Sequence, residues 1–243
     1  MKEKALLRSF VVIASIWGLV ACGSSDSSNN GGNGENVPDG LPSNIETALS
    51  ASLSTLTPAL KDSISYMYSE ERLAYDVYSN VYKMQTSVNQ LNNISKNSEI
   101  KHIDAVDKLA IKYDLNTTKY PDTTTPYSTD DLLRYGSGAY PVTAIQELYN
   151  MLYDKGIQSA QDALEVGCMI EVVDIDDLDI YVAQASVSNA PDVLEVFNYL
   201  RDGSYNHYWA FDKGLKNMGI STGCCSVASY GTHNFCHPEY PQK

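Results

Sequence analysis

Along most of this chain apolar residues return every three or four positions in long runs, and nowhere do they alternate with polar ones over the length of a strand. A chain patterned this way must bury its apolar stripes helix against helix, so the fold class it predicts is all-α. Helices are expected near Thr57 to Met84, Ser95 to Tyr113, Ser159 to Ala185 and Pro191 to Met218, with a shorter one near Val142 to Lys155. Pro191, closely after Asn189, is placed as a helix start. Such lengths suit a four-helix bundle with one long connection and a short extra helix, and the Thr-, Pro- and Gly-rich stretch from Asn116 to Pro141 supplies the connection.

The stripes that should face the core are not clean. In the first helix the inner stripe runs Ile64, Met67, Glu71, Ala74, Tyr78, Val81. The second reads Glu99, His102, Val106, Leu109, Tyr113, and the third Leu164, Gly167, Glu171, Asp174, Leu178, Tyr181. The fourth reads Val193, Phe197, Leu200, Ser204, His207, Phe211, Leu215. Glu70 competes with Glu71, and Glu165 with Glu171; the stripe favours Glu71 and Glu171, because Glu70 falls off the line from Met67 to Ala74.

A carboxylate buried alone costs several kcal/mol or takes up a proton, so interruptions on all four helices call for a common partner. A pair of metal ions supplies one. Iron and manganese accept mixed carboxylate and imidazole ligation, and residues three apart on a helix project side by side, so Glu99 and His102 can serve one site together.

Four segments then carry a resemblance: Ser69 to Tyr78, Glu99-Ile-Lys-His102, Val166 to Leu178, and Gly203 to Phe211. In this order and spacing they resemble the ferritin-like superfamily, and within it an uncharacterised, rubrerythrin-related domain found in prokaryotes. The resemblance implies a ferritin-like four-helix bundle and a non-haem dinuclear centre, di-iron or mixed iron and manganese. By position Glu71 resembles the first-helix ligand, Glu99 with His102 the second-helix pair, Glu171 the third-helix bridging glutamate and His207 the fourth-helix histidine. The sequence departs from the pattern at Ser204, where those relatives carry a glutamate three before the histidine; Asp174, on the face of Glu171, is expected to restore the ligand count. Paired Cys-x-x-Cys motifs are absent, so no rubredoxin-like electron-transfer domain is attached. The resemblance implies no particular reaction; from the metal pair itself, reaction with oxygen or peroxide as a ferroxidase or peroxidase is expected, and the other reading is a non-catalytic metal-binding or structural lipoprotein.

The N-terminus bears on where such chemistry would run. Lys2, Lys4 and Arg8 precede a short apolar stretch from Phe10 to Val20, the form of a signal peptide and too short to span a bilayer. Leu19-Val20-Ala21-Cys22-Gly23 resembles the bacterial lipobox, which predicts a signal peptide over 1–21 and lipid on Cys22. A Ser-, Asn- and Gly-rich linker is expected over 22–44, a bundle over 45–220 and a cysteine-containing tail over 221–243. The expected location is the cell envelope, tethered to a membrane and facing the periplasm or exterior, the outer membrane where there are two. A long leash and an acyl anchor suit a single bundle or a small homo-oligomer better than a storage cage.

The formal net charge of -13 repels phosphate backbones, so metal ions and a small oxidant are expected as partners and nucleic acid is not. Of the remaining cysteines, Cys224, Cys225 and Cys236 are the disulfide candidates, with Cys236 bonded to Cys224 or Cys225 and Cys168 buried as a small apolar side chain.

Overall fold

The structure, a computed structural model, describes residues 40–115, 117, 137–140, 143–231 and 233–242. The expected signal segment, Cys22 and most of the expected linker lie outside the described residues, as does most of the expected 116–141 connection. Among the described residues all regular structure is helical, apart from one isolated antiparallel bridge between Tyr230 and His233. None of these helices is long and apolar enough to cross a membrane.

Helix α1 spans Ser43–Ser50 and α2 Pro58–Met84. The start of α2 is set locally: Pro58 occupies the first turn and the Thr57 side chain accepts a hydrogen bond from the Leu60 amide. Helix α3, Asn89–Ile94, runs into a π-helical turn over Ser95–Glu99 and on into α4, Ile100–Lys112. After the connection come α5, Thr143–Gly156, α6, Ala160–Val187, and α7, Pro191–Asn217. The Ser159 hydroxyl caps α6 by accepting from the Asp162 amide, and Asn189, at φ 50°, turns the chain from α6 into α7. A short 3-10 turn, Gly223–Ser226, opens the tail.

Two of these elements differ from expectation. The second helix begins six residues early, at Asn89, and a π turn interrupts it. The Asn- and Ser-rich stretch from Asn89 to Ser98 is poor in helix formers because those side chains compete for the backbone, but Leu91 and Ile94 are buried and tertiary packing overrides the local preference. At the other junction Leu41 and Ile45, which straddle the expected linker boundary, are both buried, and α1 packs on α7 and α4.

Helices α6 and α7 fold back on each other along their lengths, with α2 packed against α4 and α6 and with α4 also touching α7. The core they enclose is in two parts. One apolar cluster holds Leu73, Val77, Tyr78, Leu91, Leu164, Phe211 and Phe235 among others. The other holds Ile45, Leu60, Ile64, Met67, Leu109, Phe197 and Leu200. Each fully buried aliphatic or aromatic side chain of this kind stabilises the fold by about 1.5–3 kcal/mol. Between the clusters lies a buried polar layer: 69–72 on α2, Glu99 and His102 on the third segment, Asp174 and Asp177 on α6, Ser204 and His207 on α7. A layer of buried carboxyls costs stability, so its presence at mid-helix calls for something that compensates it.

The cysteines correct an expectation. Cys168 is buried as foreseen but is not a lone thiol: it is bonded to Cys224, while Cys225 is bonded to Cys236. Cys168 and Cys224 are 56 residues apart in sequence, and only the return of the tail along α7 brings them together. The tail is held further by Tyr208, whose hydroxyl donates to the Phe235 carbonyl and accepts from the His237 amide.

Candidate metal centre

Each long helical segment delivers its polar interruption to the same layer. Glu71 comes from α2, Glu99 from the end of the π turn, His102 from α4, Glu171 and Asp174 from α6, Ser204 and His207 from α7, and all are buried. The π turn is defined by the Ile100 amide donating to the Ser95 carbonyl five residues back. It widens the helix beside Glu99, the kind of irregularity that recurs at functional sites.

Two triads result. In the first, His102 Nδ1 lies 3.1 Å from Glu71 Oε2 and 3.3 Å from Glu99 Oε2. In the second, His207 Nδ1 lies 3.1 Å from Glu99 Oε1 and 3.4 Å from Glu171 Oε2. Within each triad the ligand atoms are all within 4.8 Å of one another. Glu99 belongs to both, one oxygen to each, and the two imidazoles stack at 5.4 Å between centroids. Glu99 is the carboxylate common to both triads, whereas Glu171, expected as the bridging glutamate, belongs to the His207 triad, and its other oxygen accepts the Tyr78 hydroxyl at 2.5 Å.

Asp174 sits beside the triads rather than in them. Its Oδ2 accepts the Ser204 hydroxyl at 2.5 Å, so the serine that stands in the missing glutamate's place holds the aspartate that was expected to replace it. Glu70 is also buried, but it points away, to within hydrogen-bonding reach of Asp177 and Tyr66. Glu165 is engaged by Lys155 at 2.7 Å, outside the layer.

The charge balance is unsettled without a cation. Burial first, then the neighbouring Asp174 and Glu99, pushes the Glu71 carboxyl well above its usual range. Burial, then Glu171, raises Asp174 to about 8 against the help of Ser204. Burial likewise raises Glu171, His207 opposing it. Burial would raise Glu99 too, but His207 and then His102 carry it well below the carboxylate range. His207 is raised to about 10: burial disfavours its charge, and Glu171 and Glu99 more than offset that. Without a cation the layer holds protons on its raised carboxyls and imidazoles; two dipositive ions beside two neutral imidazoles would balance the four carboxylates once those protons are displaced.

Two further atoms point the same way. Among the described residues, Glu71 Oε1 and His207 Nδ1 are buried without a hydrogen-bond partner. Both atoms belong to triad residues, and an ion between Glu99, Glu171 and His207 would satisfy His207 Nδ1. The donor set, all oxygen and imidazole nitrogen, is of the kind that binds divalent metal ions. The residues present thus fit a pair of divalent ions.

Sequence reasoning missed two neighbours. Ser98 Oγ lies 2.7 Å from His207 Nε2, and only the π turn, invisible in the pattern, directs it there. Gly203 borders His102, where a Cβ would come within 2.4 Å of Nε2; its place just before Ser204 in the fourth stripe was the available signal.

Residues 60–230, which contain every residue of both triads, match the family described as an uncharacterized protein domain, DUF2202. The uncharacterized protein MJ0754 of Methanocaldococcus jannaschii is 35% identical over 159 residues, covering 65% of this chain and 76% of that one. The crystal structure of the same organism's hypothetical protein MJ0754 superposes with a TM-score of 0.60 at 31% identity, covering 79% of this chain and 94% of the other. The match of most of the chain to one family, with a relative at this identity over three quarters of its own length, makes this protein a member of the DUF2202 family.

Proposed function

We propose that this chain is a ferritin-like four-helix bundle holding a non-haem dinuclear centre of iron, or iron and manganese, that reacts with oxygen or peroxide as a ferroxidase or peroxidase. The observation that carries the proposal is Glu99, which offers one oxygen to each of two histidine-containing triads. Glu71 and His102 would hold one ion, Glu171 and His207 the other, with Glu99 between them. Such a pair, when bound, supplies two electrons to a small oxidant and a Lewis-acidic surface for it.

The chain's own residues do the rest. The two apolar clusters keep bulk water from the layer, which strengthens every electrostatic interaction inside it. Tyr78 orients Glu171, and its buried hydroxyl, held protonated by burial and by Glu171, keeps a proton at Oε1 of that carboxylate. Ser204 holds Asp174 by its hydroxyl, so the layer has one carboxylate fewer in the two triads than a symmetrical site. The same shortage of donors favours a second reading, in which the protein binds metal without turnover.

The setting proposed is the cell envelope, with lipid on Cys22 and no nucleic-acid partner. The two disulfides support it, since they persist in oxidising compartments. The test is metal analysis of the full chain and of three variants. Wild type should hold two equivalents, Glu71→Ala and Glu171→Ala about one, and Glu99→Ala none. Peroxide consumption by the iron-loaded protein with a reductant separates the two readings. Folded wild type that takes up no iron, manganese or zinc would sink both.

A further inference from the structure

The two halves of the layer differ in what stands behind their ligands. Behind the Glu171 half, each ligand's remaining polar atom is held. Tyr78 donates to Glu171 Oε1 at 2.5 Å, and Ser98 Oγ lies 2.7 Å from His207 Nε2. Behind the Glu71 half, Glu71 Oε1 has no hydrogen-bond partner. His102 Nε2 abuts the backbone of Gly203, and no hydrogen bond to it is found among the described residues.

We propose that Ser98 is a positioning residue for His207, and that through it the Glu99, Glu171 and His207 half binds a divalent cation first and more tightly than the Glu71, Glu99 and His102 half. The inference rests on the dinuclear reading and deepens it, by assigning an order of filling.

The geometry behind it is specific to the π turn. Successive side chains on an α-helix diverge by about 100° and do not converge on one target. Here Ser98 and Glu99 are consecutive, yet they bracket a single imidazole, Ser98 at Nε2 and Glu99 Oε1 at Nδ1, 3.1 Å away. The wider turn over Ser95–Glu99 makes this possible. When His207 Nδ1 serves an ion the neutral ring carries its proton on Nε2, and Ser98 Oγ is placed to accept it, holding the ring with the Nδ1 lone pair toward the space between Glu99 and Glu171. A ring free to choose its tautomer, or to turn, would spend part of its time with the wrong nitrogen protonated. Outer partners of this type are worth about 10–100-fold in metal affinity. The stacked ring of His102, at 5.4 Å, blocks rotation of His207 on one side.

The experiment is a calorimetric titration of the metal-free full chain with Mn2+, paired with 15N NMR of the histidine rings after loading with Zn2+. Wild type should show two steps of different affinity and an Nε2–H tautomer at His207. Ser98→Ala should weaken the tighter step by about 10–100-fold and leave the weaker step nearly unchanged. Ser98→Thr, which keeps the hydroxyl, should restore the tighter step, and Glu71→Ala should remove the weaker step alone. Equal weakening of both steps in Ser98→Ala, an effect on the weaker step only, or no effect overturns the inference while leaving the dinuclear reading standing. A folded wild type that binds fewer than two ions overturns that reading, and the inference with it.

Discussion

Replacing Gly203 by alanine is the most discriminating single perturbation of this site, because it moves a proposed ligand without touching any polar atom. Gly203 lies in α7, and a Cβ built on it would sit 2.4 Å from His102 Nε2 and 2.5 Å from Cε1. Ordinary contact begins near 3.4 Å, so the ring must retreat by about 1 Å. It has little room to do so: His102 is 1% exposed, with Tyr199 edge-on and His207 stacked, each at 5.4 Å. Overpacking of this kind costs about 1–3 kcal/mol, while alanine in place of a mid-helix glycine returns about 0.5–1 kcal/mol. The metal-free variant should therefore lose no more than about 2.5 kcal/mol in urea denaturation. Its effect on metal should be larger. Metal–ligand distances tolerate about 0.2 Å, so a shift of about 1 Å removes His102 from its ion, and metal content should fall from two equivalents to about one. Gly156→Ala, whose Cβ would meet Val81 at 2.9 Å, is a control that overpacks the core away from the layer and should keep both ions. Two ions bound by Gly203→Ala with wild-type affinity would refute the assignment of His102 as a ligand.

The pH dependence of stability follows from the raised groups of the layer. Asp174, at about 8 against an ordinary 3.8, and His207, at about 10 against 6.5, both bind protons more tightly folded than unfolded. Their contribution is present at low pH and lost as pH rises through the folded values, so the Tm of the metal-free protein should fall from pH 6 to pH 9. Loaded protein has already released the His207 proton, because Nδ1 would be a ligand, and the gap in Tm between loaded and metal-free samples should widen over the same range; a gap that narrows contradicts the proposed ligation. Cys168–Cys224 closes a separation of 56 residues, which corresponds to about 4 kcal/mol of lost chain entropy in the unfolded state, against about 3 kcal/mol for the 11 residues of Cys225–Cys236. Cys168→Ser with Cys224→Ser should therefore lower stability more than Cys225→Ser with Cys236→Ser, as read by denaturation of the oxidised proteins; the reverse order would mean that native packing of the tail, not chain entropy, dominates.

Much of this was legible in one dimension. The period of the apolar residues requires helices, because no other element buries every third and fourth position. The same periodicity identifies Glu71 over Glu70, since a rotation of about 100° separates adjacent residues and the flanking Met67 and Ala74 define the inward direction. Polar residues on a buried stripe mark the layer, because an isolated carboxyl in an apolar core is too costly to persist without a purpose. What the chain could not reveal by itself depends on how helices sit against one another. That Glu99 rather than Glu171 is shared follows from the π turn and from the closeness of α4 to α7. Ser98 faces His207 for the same reason, although α-helical spacing would turn it away. Cys168 finds Cys224 because the tail returns along α7, a contact across 56 residues that no local pattern encodes. Local periodicity decides which residues face inward; which of them meet is decided only when four inward faces are brought to one level, with the layer of carboxyls and imidazoles held between two apolar halves of the core.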